Sequence, residues 1–302
     1  MTETKVPLIE LKNIKRYFPV TNTFGQVVTE VKAIDSISLT IEKGETLGLV
    51  GESGSGKTTL GRSILQLERI DSGEIYYKGH SLSALSESDK KKVLKDMQII
   101  FQDPYSSLNP RVTALNQVLE PLLLQYSKEE SLTKAQAILT QVGLDEESFN
   151  KYPREFSGGQ RQRIGIARAV VVNPEFILCD EPISALDVSI QAQIINLLMD
   201  LQKEFGLTYL FISHDLSMVR YISDRIAVMY LGKLVELGPT EAIFDNPQHA
   251  YTKKLLQAIP IADPKKAREA FQEPVISEDI PLTDTIEWME VTPGHYYAKE
   301  TV

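Results

Sequence analysis

The glycine-rich segment 51–58 has residue types and a spacing suited to holding phosphate groups, G-x-x-x-x-G-K-T. Glycines let successive backbone N–H groups curl around an anion, and a helix start adds further N–H groups and a favourable dipole. We expect Lys57 to reach the β- and γ-phosphates, Thr58 to bind Mg²⁺ and Thr59 to reach the α-phosphate. The segment therefore predicts nucleoside triphosphate binding by Gly51, Glu52, Ser53, Gly54, Ser55, Gly56, Lys57, Thr58 and Thr59.

Two acidic residues follow the apolar run 176–179, which is typical of a buried strand. An aspartate at the carboxyl end of such a strand is suited to holding Mg²⁺ beside a phosphate loop, and Asp180 has that position. Glu181 is then the candidate general base for the attacking water. The alternative is an ordinary strand exit with two surface acids.

Polar residues also end two other apolar runs. His214 follows 211–213 and is a candidate contact of the γ-phosphate and the attacking water. Gln102 follows an apolar strand at 99–101, and its amide oxygen could bind Mg²⁺ or the water. Taken alone, a histidine at a strand end is usually structural, and a glutamine there is unremarkable. The position of His214 after the phosphate loop and the acidic strand end favours its functional interpretation.

A second anion site is predicted where Ser157, Gly158, Gly159 and Gln160 open a helix. Ser157 suits the N-cap position, and the two glycines expose the first N–H groups of the helix. One nucleotide cannot easily occupy two distant phosphate sites in one subunit. We therefore expect a head-to-tail dimer in which the loop of one subunit faces the helix start of the other.

The elements that position these residues alternate between strand and helix. Strands are predicted at 8–11, 37–41, 46–50, 176–179, 207–212 and 225–230, and helices at 57–67, 114–126, 132–142, 158–172, 189–205 and 216–222. This order predicts a mainly parallel sheet covered on both faces. The block from about 103 to 172 is mostly helical, which predicts a subdomain inserted into the α/β core.

The amino-acid composition and the net charge limit the functions that are possible for this chain. Hydrophobic residues make up 42% and charged residues 24% of the 302 residues, as in soluble globular proteins. The net charge of −9 argues against broad nucleic-acid binding and against direct docking on anionic lipid. The single cysteine, Cys179, fits a reducing compartment. Since no apolar run approaches the ~20 residues of a membrane helix, membrane association is expected only through a partner.

In the order and identity of these motifs, the chain resembles the ATP-binding cassette (ABC) ATPases over about residues 8–260. The resemblance implies a P-loop NTPase fold of the ABC type, with an antiparallel β subdomain, a RecA-like core and an inserted helical subdomain. It also implies that Asp187 lies in the nucleotide site and that an aromatic residue stacks on adenine. Phe18 is the candidate and Tyr17 the alternative; for both, the competing interpretation is a core aromatic.

Four segments are similar to the narrower family of oligopeptide and dipeptide importer ATPases: 101–111, 181–189, 230–236 and 249–260. This resemblance implies an ATP-hydrolysing importer subunit on the cytoplasmic face of the cell membrane. The implied partners are a sister ATPase, two transmembrane permease subunits and an extracellular peptide-binding protein. ATP and Mg²⁺ are the expected cofactors, and without a cysteine cluster no iron–sulfur cluster is expected. The alternatives are another cargo, such as a dipeptide, nickel or a glycoside, and a non-transport ABC ATPase.

Two domains are predicted. Residues 8–245 form the ATPase domain, and 246–302 form a C-terminal extension. The stretch 261–302 carries nine acidic and four basic residues. It is either loosely ordered or, because Trp288, Met289, Tyr296 and Tyr297 are unusually apolar for a disordered tail, a small folded extension.

Overall fold

The computed structural model describes residues 6–259 and 286–299. In chain order its elements are β1 (Ile9–Thr21), β2 (Val27–Ile41), β3 (Thr46–Val50), α1 (Lys57–Ile64), β4 (Ser72–Tyr77), β5 (His80–Ser81), α2 (Glu87–Lys95), β6 (Met97–Ile100), α3 (Pro104–Ser107), α4 (Ala114–Leu119), α5 (Lys128–Gln141), α6 (Gly158–Val170), β7 (Phe176–Asp180), α7 (Val188–Phe205), β8 (Thr208–Ser213), α8 (Leu216–Ile222), β9 (Arg225–Tyr230), β10 (Lys233–Pro239), α9 (Thr240–Asp245), α10 (Ala250–Gln257), β11 (Glu287–Thr292) and β12 (His295–Lys299). These elements fall into two compact units.

The first unit holds residues 6–9, 41–45 and 76–212. Its centre is a parallel run of strands in the order β6, β7, β8, with Met97 opposite Phe176 and Asp180 opposite Ile212. All five residues of β7 are buried, which explains why the strand is an unbroken apolar run up to its acidic end. Between β6 and β7 the described elements are helical, as predicted.

The second unit holds residues 10–40, 46–75, 213–259 and 286–299. One sheet has the order β11, β12, β10, β9, β3, in which β3 and β9 are parallel and the remaining pairs are antiparallel. A second sheet places β1 between β2 and β4. All five residues of β3 are buried, so the strand that leads into the glycine-rich loop is held firmly on both faces.

Helix boundaries differ from the prediction by three residues or more in three places. The helix predicted over 132–142 begins at Lys128, because the Ser127 hydroxyl caps it by accepting the N–H of Glu130. The helix predicted over 114–126 ends at Leu119 and is followed by a short 3₁₀ turn at 122–124, because Pro121 has no N–H to continue the helical bonding. The helix predicted over 57–67 ends at Ile64, and Gln66 then takes a positive φ of 56°.

The described part of the tail forms a hairpin. Strand β12 pairs with β10, and β11 pairs with β12. His295 is fully buried, and its Nε2 lies 2.8 Å from the buried carboxylate of Glu236 on β10. The folded alternative therefore holds for 286–299, whereas the predictions for 260–285 and 300–302 lie outside the described residues. Over residues 6–259 and 286–299, no helix has the length and apolar character needed to cross a bilayer.

Candidate nucleotide site

The second unit contains the glycine-rich loop between β3 and α1. Gly51, Gly54 and Gly56 have positive φ angles of 152°, 82° and 101°, a region that favours glycine. Gly56 is also the residue that precedes α1, and its carbonyl accepts the N–H of Leu60 at 2.9 Å. The loop therefore leaves a buried strand through three glycines with positive φ and leads directly into the N-terminus of α1, where the first N–H groups of the helix suit an anion.

Lys57 lies on this loop and is only 5% exposed. Its ammonium donates to the carbonyls of Gly51 and Glu52, each at 2.8 Å, and lies 3.4 Å from the Ser55 hydroxyl. A buried ammonium needs such partners because an uncompensated charge is costly away from water. The contacts hold the positive charge inside the loop, where the terminal phosphates of a nucleotide are expected.

Gly56→Ala should lower the free energy of unfolding by about 3 kcal/mol or more, because a Cβ would lie 1.9 Å from the Ala33 carbonyl oxygen in addition to the strain of a positive φ. Gly54→Ala is the matched control: its φ is also positive, but a Cβ meets nothing within 4 Å, so about 1 kcal/mol is expected. Urea denaturation of both variants measures the difference. Equal losses of unfolding free energy in the two variants would show that the contact between the added Cβ and the Ala33 carbonyl does not destabilise the protein.

A tyrosine far along the chain also contacts this loop. The backbone N–H of Glu52 donates to the hydroxyl of Tyr251 at 2.7 Å, although the two residues are 199 positions apart. Tyr251 lies on α10, is fully buried, and its ring stacks on Tyr230 with 4.1 Å between ring centroids. Nothing in the residue pattern around Tyr251 points to the loop, since the contact depends on how α10 packs.

The first unit contains the acidic strand end. Asp180 is the last residue of β7 and is 3% exposed. Glu181 follows with a φ of +49°, which is uncommon for a residue with a side chain, and its N–H donates to the Ile212 carbonyl at 3.1 Å. Neighbouring side chains on a straight strand point to opposite faces. Because the backbone changes direction sharply at Glu181, the two successive acids can nevertheless serve one site.

Gln102 and Glu181 are brought together in this unit. The Gln102 Nε2 donates to the Glu181 Oε2 at 3.0 Å. A carboxylate only accepts, so the glutamine must present its amide nitrogen to Glu181 and its carbonyl oxygen elsewhere. The sequence predicted both residues at strand ends but not their mutual contact.

The predicted second anion site is the start of α6. The Ser157 hydroxyl accepts the N–H of Gln160, and the Gln160 side chain accepts the N–H of Ser157 at 3.0 Å, which is a capping box. Gly159 is required by packing as well, because a Cβ there would lie 2.6 Å from the Ile190 side chain of α7. Ser157 and Gln160 are exposed, so this helix start is accessible to a ligand or to a second subunit.

Three further predicted residues lie at element ends or on β1. Asp187 immediately precedes α7 and is exposed. His214 directly follows β8 and is also exposed. On β1, the Phe18 ring carries the Arg16 guanidinium 4.3 Å from its centroid, whereas the Tyr17 hydroxyl donates to Asp35 at 2.6 Å. The Lys32 ammonium lies 5.9 Å from the centroid of the Tyr17 ring, so each ring has a cation near one face and these contacts do not separate the two candidates for stacking on adenine.

Comparison with known proteins places these features in a family. Residues 34–184 match the family model described as ABC transporter, and residues 235–281 match that described as oligopeptide/dipeptide transporter, C-terminal region. The chain is 52% identical over 297 residues to the oligopeptide transport ATP-binding protein OppF of Bacillus subtilis (strain 168), which covers 96% of this chain and 95% of that protein. It is 46% identical to AppF of the same organism, another oligopeptide transport ATP-binding protein, over 96% of each chain.

Other relatives extend the comparison. The glutathione import ATP-binding protein GsiA of Escherichia coli (strain K12) is 46% identical over 97% of this chain, which spans 48% of that longer protein. Among solved structures, a dimeric ATP-binding cassette in a post-hydrolysis state with ADP and Pi superposes with a TM-score of 0.67 and 32% identity, over 77% of this chain and 98% of the other. A component of an ABC transporter complex from Clostridium perfringens shares the fold, with a TM-score of 0.68 and 24% identity over 80% and 91% of the two chains. The predicted fold class is confirmed.

Proposed function

This chain belongs to the ABC transporter family of ATP-binding proteins, in its oligopeptide/dipeptide branch, and we propose from that premise that it hydrolyses ATP to power an importer of oligopeptides. The observation that carries the proposal is the 52% identity to an oligopeptide transport ATP-binding protein across nearly the full length of both chains. The glycine-rich loop before α1, the helix start of α6 and the acidic end of β7, each taken within its own unit, support the hydrolytic part of this function.

The phosphate loop binds the triphosphate of ATP. Its backbone N–H groups and the N-terminus of α1 hold the phosphates, and the Lys57 ammonium, which stays on the Gly51 carbonyl, directs its other donors to oxygens of the β- and γ-phosphates. Thr59 reaches the α-phosphate, and Phe18 stacks on adenine. Backbone groups of this kind recognise phosphate geometry, so much of the affinity depends on the shape of the loop.

The residues present suit Mg²⁺. Thr58, Gln102 and Asp180 offer a hydroxyl, an amide carbonyl and a carboxylate, which are oxygen donors that Mg²⁺ prefers, and one carboxylate beside substrate phosphates is a usual arrangement for this ion. Because the Gln102 amide nitrogen faces Glu181, the amide carbonyl oxygen is the atom of this residue that would bind the ion. When bound, Mg²⁺ neutralises charge on the β- and γ-phosphates.

Glu181 accepts the proton of the attacking water. The N–H bond from Glu181 to Ile212 and the bond from Gln102 fix the backbone and the carboxylate of this residue, so the protein itself orients the base. His214 contacts the γ-phosphate and helps to hold the water. Lys57 and the N–H groups at the start of α6 of a facing subunit spread the charge of the transition state.

The facing subunit is a sister ATPase, and the two subunits sandwich two ATP molecules. Ser157–Gln160 completes the site of the sister subunit, and the corresponding helix start of the sister completes the site of this chain, with Asp187 near the same interface. The segment that follows Gln102 grips a membrane-domain helix of the permease. This segment contacts α6, since Arg168 donates to the Ser107 carbonyl at 2.7 Å and the Arg161 guanidinium lies 3.7 Å from the centroid of the Tyr105 ring. Two permease subunits and an extracellular peptide-binding protein complete the importer, with this chain on the cytoplasmic face.

The transported solute has a second candidate besides oligopeptides. The similarity to a glutathione import ATP-binding protein favours a second candidate, an importer for another small solute. The experiment deletes the gene, restores it on a plasmid, and compares uptake of a labelled tetra- or pentapeptide with uptake of a dipeptide, glutathione, nickel and a glycoside. We expect restored uptake for the longer peptides. Restoration confined to another solute would exclude the oligopeptide cargo but leave the ATPase assignment intact.

A further inference from the structure

The contact between α10 and the phosphate loop involves one peptide plane. The N–H of the Gly51–Glu52 peptide donates to the Tyr251 hydroxyl at 2.7 Å. The carbonyl oxygen of that same peptide, on Gly51, accepts from the Lys57 ammonium at 2.8 Å. Because a trans peptide is rigid and directs its N–H and C=O to opposite edges, fixing one edge fixes the direction of the other.

Tyr251 is itself held firmly. It is fully buried, and its ring stacks on Tyr230 at the end of β9, the strand that pairs with β3 just before the loop. The start of α10 is anchored by Glu236, whose carboxylate accepts the N–H groups of Gln248 at 2.8 Å and His249 at 2.9 Å. Because the helix and the ring are held in this way, the Tyr251 hydroxyl has a fixed position. The loop peptide that donates to this hydroxyl is therefore fixed as well.

Two further features support a fixed position for the Tyr251 hydroxyl beside the loop. Burial raises the pKa of Tyr251 to about 12, although the N–H of Glu52 opposes the shift, so the phenol is neutral at physiological pH. The side chain of Lys254, one turn further along α10, lies 3.5 Å from the Glu52 carboxylate. This second contact is solvent-exposed and contributes little energy, but it involves the same loop residue.

We infer that Tyr251 is a positioning residue for ATP binding: its hydroxyl holds the Gly51–Glu52 peptide so that the opposite edge keeps the Lys57 ammonium in place for the phosphates. The C-terminal extension thereby contributes to the nucleotide site. This inference rests on the proposed function. The competing interpretation is that Tyr251 serves only to pack α10 against β9, in which case losing its hydroxyl affects stability alone.

Tyr251→Phe separates the two interpretations, because it keeps the ring stack and removes only the hydroxyl. We expect the dissociation constant for ATP, measured by calorimetry on the full chain with Mg²⁺, to rise about three- to tenfold, the usual weight of one hydrogen bond. Tyr209→Phe is the matched control. Tyr209 is also fully buried, and its hydroxyl donates to the Leu198 carbonyl at 3.0 Å in the other unit. This variant should lose a similar amount of thermal stability and keep its ATP affinity.

Each outcome decides a claim. Weaker ATP binding in Tyr251→Phe alone supports the positioning role. Unchanged affinity in that variant, or an equal loss in Tyr209→Phe, overturns it while the proposed function stands. Failure of the unaltered chain to bind ATP overturns the proposed function and this inference together.

Discussion

Glu181→Gln should lower the rate of ATP hydrolysis by about a hundredfold to a thousandfold while ATP binding is retained, since a glutamine cannot accept the proton of the attacking water. The substitution preserves the shape of the side chain, and its amide oxygen can still accept from Gln102, so the bond that orients the residue survives. A dimer that binds ATP but does not hydrolyse it should accumulate in the closed state. Hydrolysis is measured in the assembled transporter, and the closed dimer by size-exclusion chromatography with and without ATP.

Glu175→Gln is the control for loss of a carboxylate beside the same strand. Glu175 lies immediately before β7 and Glu181 immediately after it, but Glu175 pairs with Lys43 and Lys78 instead of Gln102. Burial alone would raise the pKa of Glu175, and the two ammonium groups outweigh that effect and lower it. Its replacement should weaken folding slightly and leave turnover unchanged. Full ATPase activity of Glu181→Gln in the assembled transporter would exclude Glu181 as the general base.

The parts of the site that could be predicted from sequence are those fixed by short-range chemistry. The segment 51–58 needs glycines where φ is positive, and its order of residue types identifies it without a structure. Polar residues at the end of an apolar run mark the carboxyl end of a buried strand, which gave Gln102, Asp180 and, one residue after Ser213, His214. The capping box at Ser157 is likewise local, because both of its hydrogen bonds join residues three positions apart.

The parts that could not be predicted depend on contacts between distant residues. The bond between Gln102 and Glu181 joins positions 79 apart, and that between Glu52 and Tyr251 joins positions 199 apart. The hairpin 286–299 is another case. The acidic composition of 261–302 favoured disorder, but the pairing of β12 with β10 and the contact of buried His295 with Glu236 hold the hairpin in the sheet. No periodicity along the chain encodes such pairings. The assigned roles of the site residues remain predictions until variants are measured.

Lys57→Ala should raise the dissociation constant for ATP by about a hundredfold or more, because charge-assisted hydrogen bonds contribute about 1.5–3 kcal/mol each and the lysine is proposed to make more than one with the phosphates. The substitution also removes the partner of the Gly51 and Glu52 carbonyls inside the loop. We therefore expect the loop to lose its ordered shape as well as its charge. Calorimetry on the purified chain measures the affinity directly.

Lys43→Ala is the matched control, since it removes an equal charge from an exposed lysine paired with Glu175 and should bind ATP normally. The loss in Lys57→Ala should also exceed that of Tyr251→Phe by an order of magnitude, because the tyrosine acts on ATP only through the peptide that holds the lysine. In cells whose only copy of the gene carries Lys57→Ala, peptide uptake should cease while an unrelated transporter is unaffected. Normal ATP affinity in this variant would show that the loop binds phosphate through backbone groups alone, which would also remove the basis for assigning a positioning role to Tyr251.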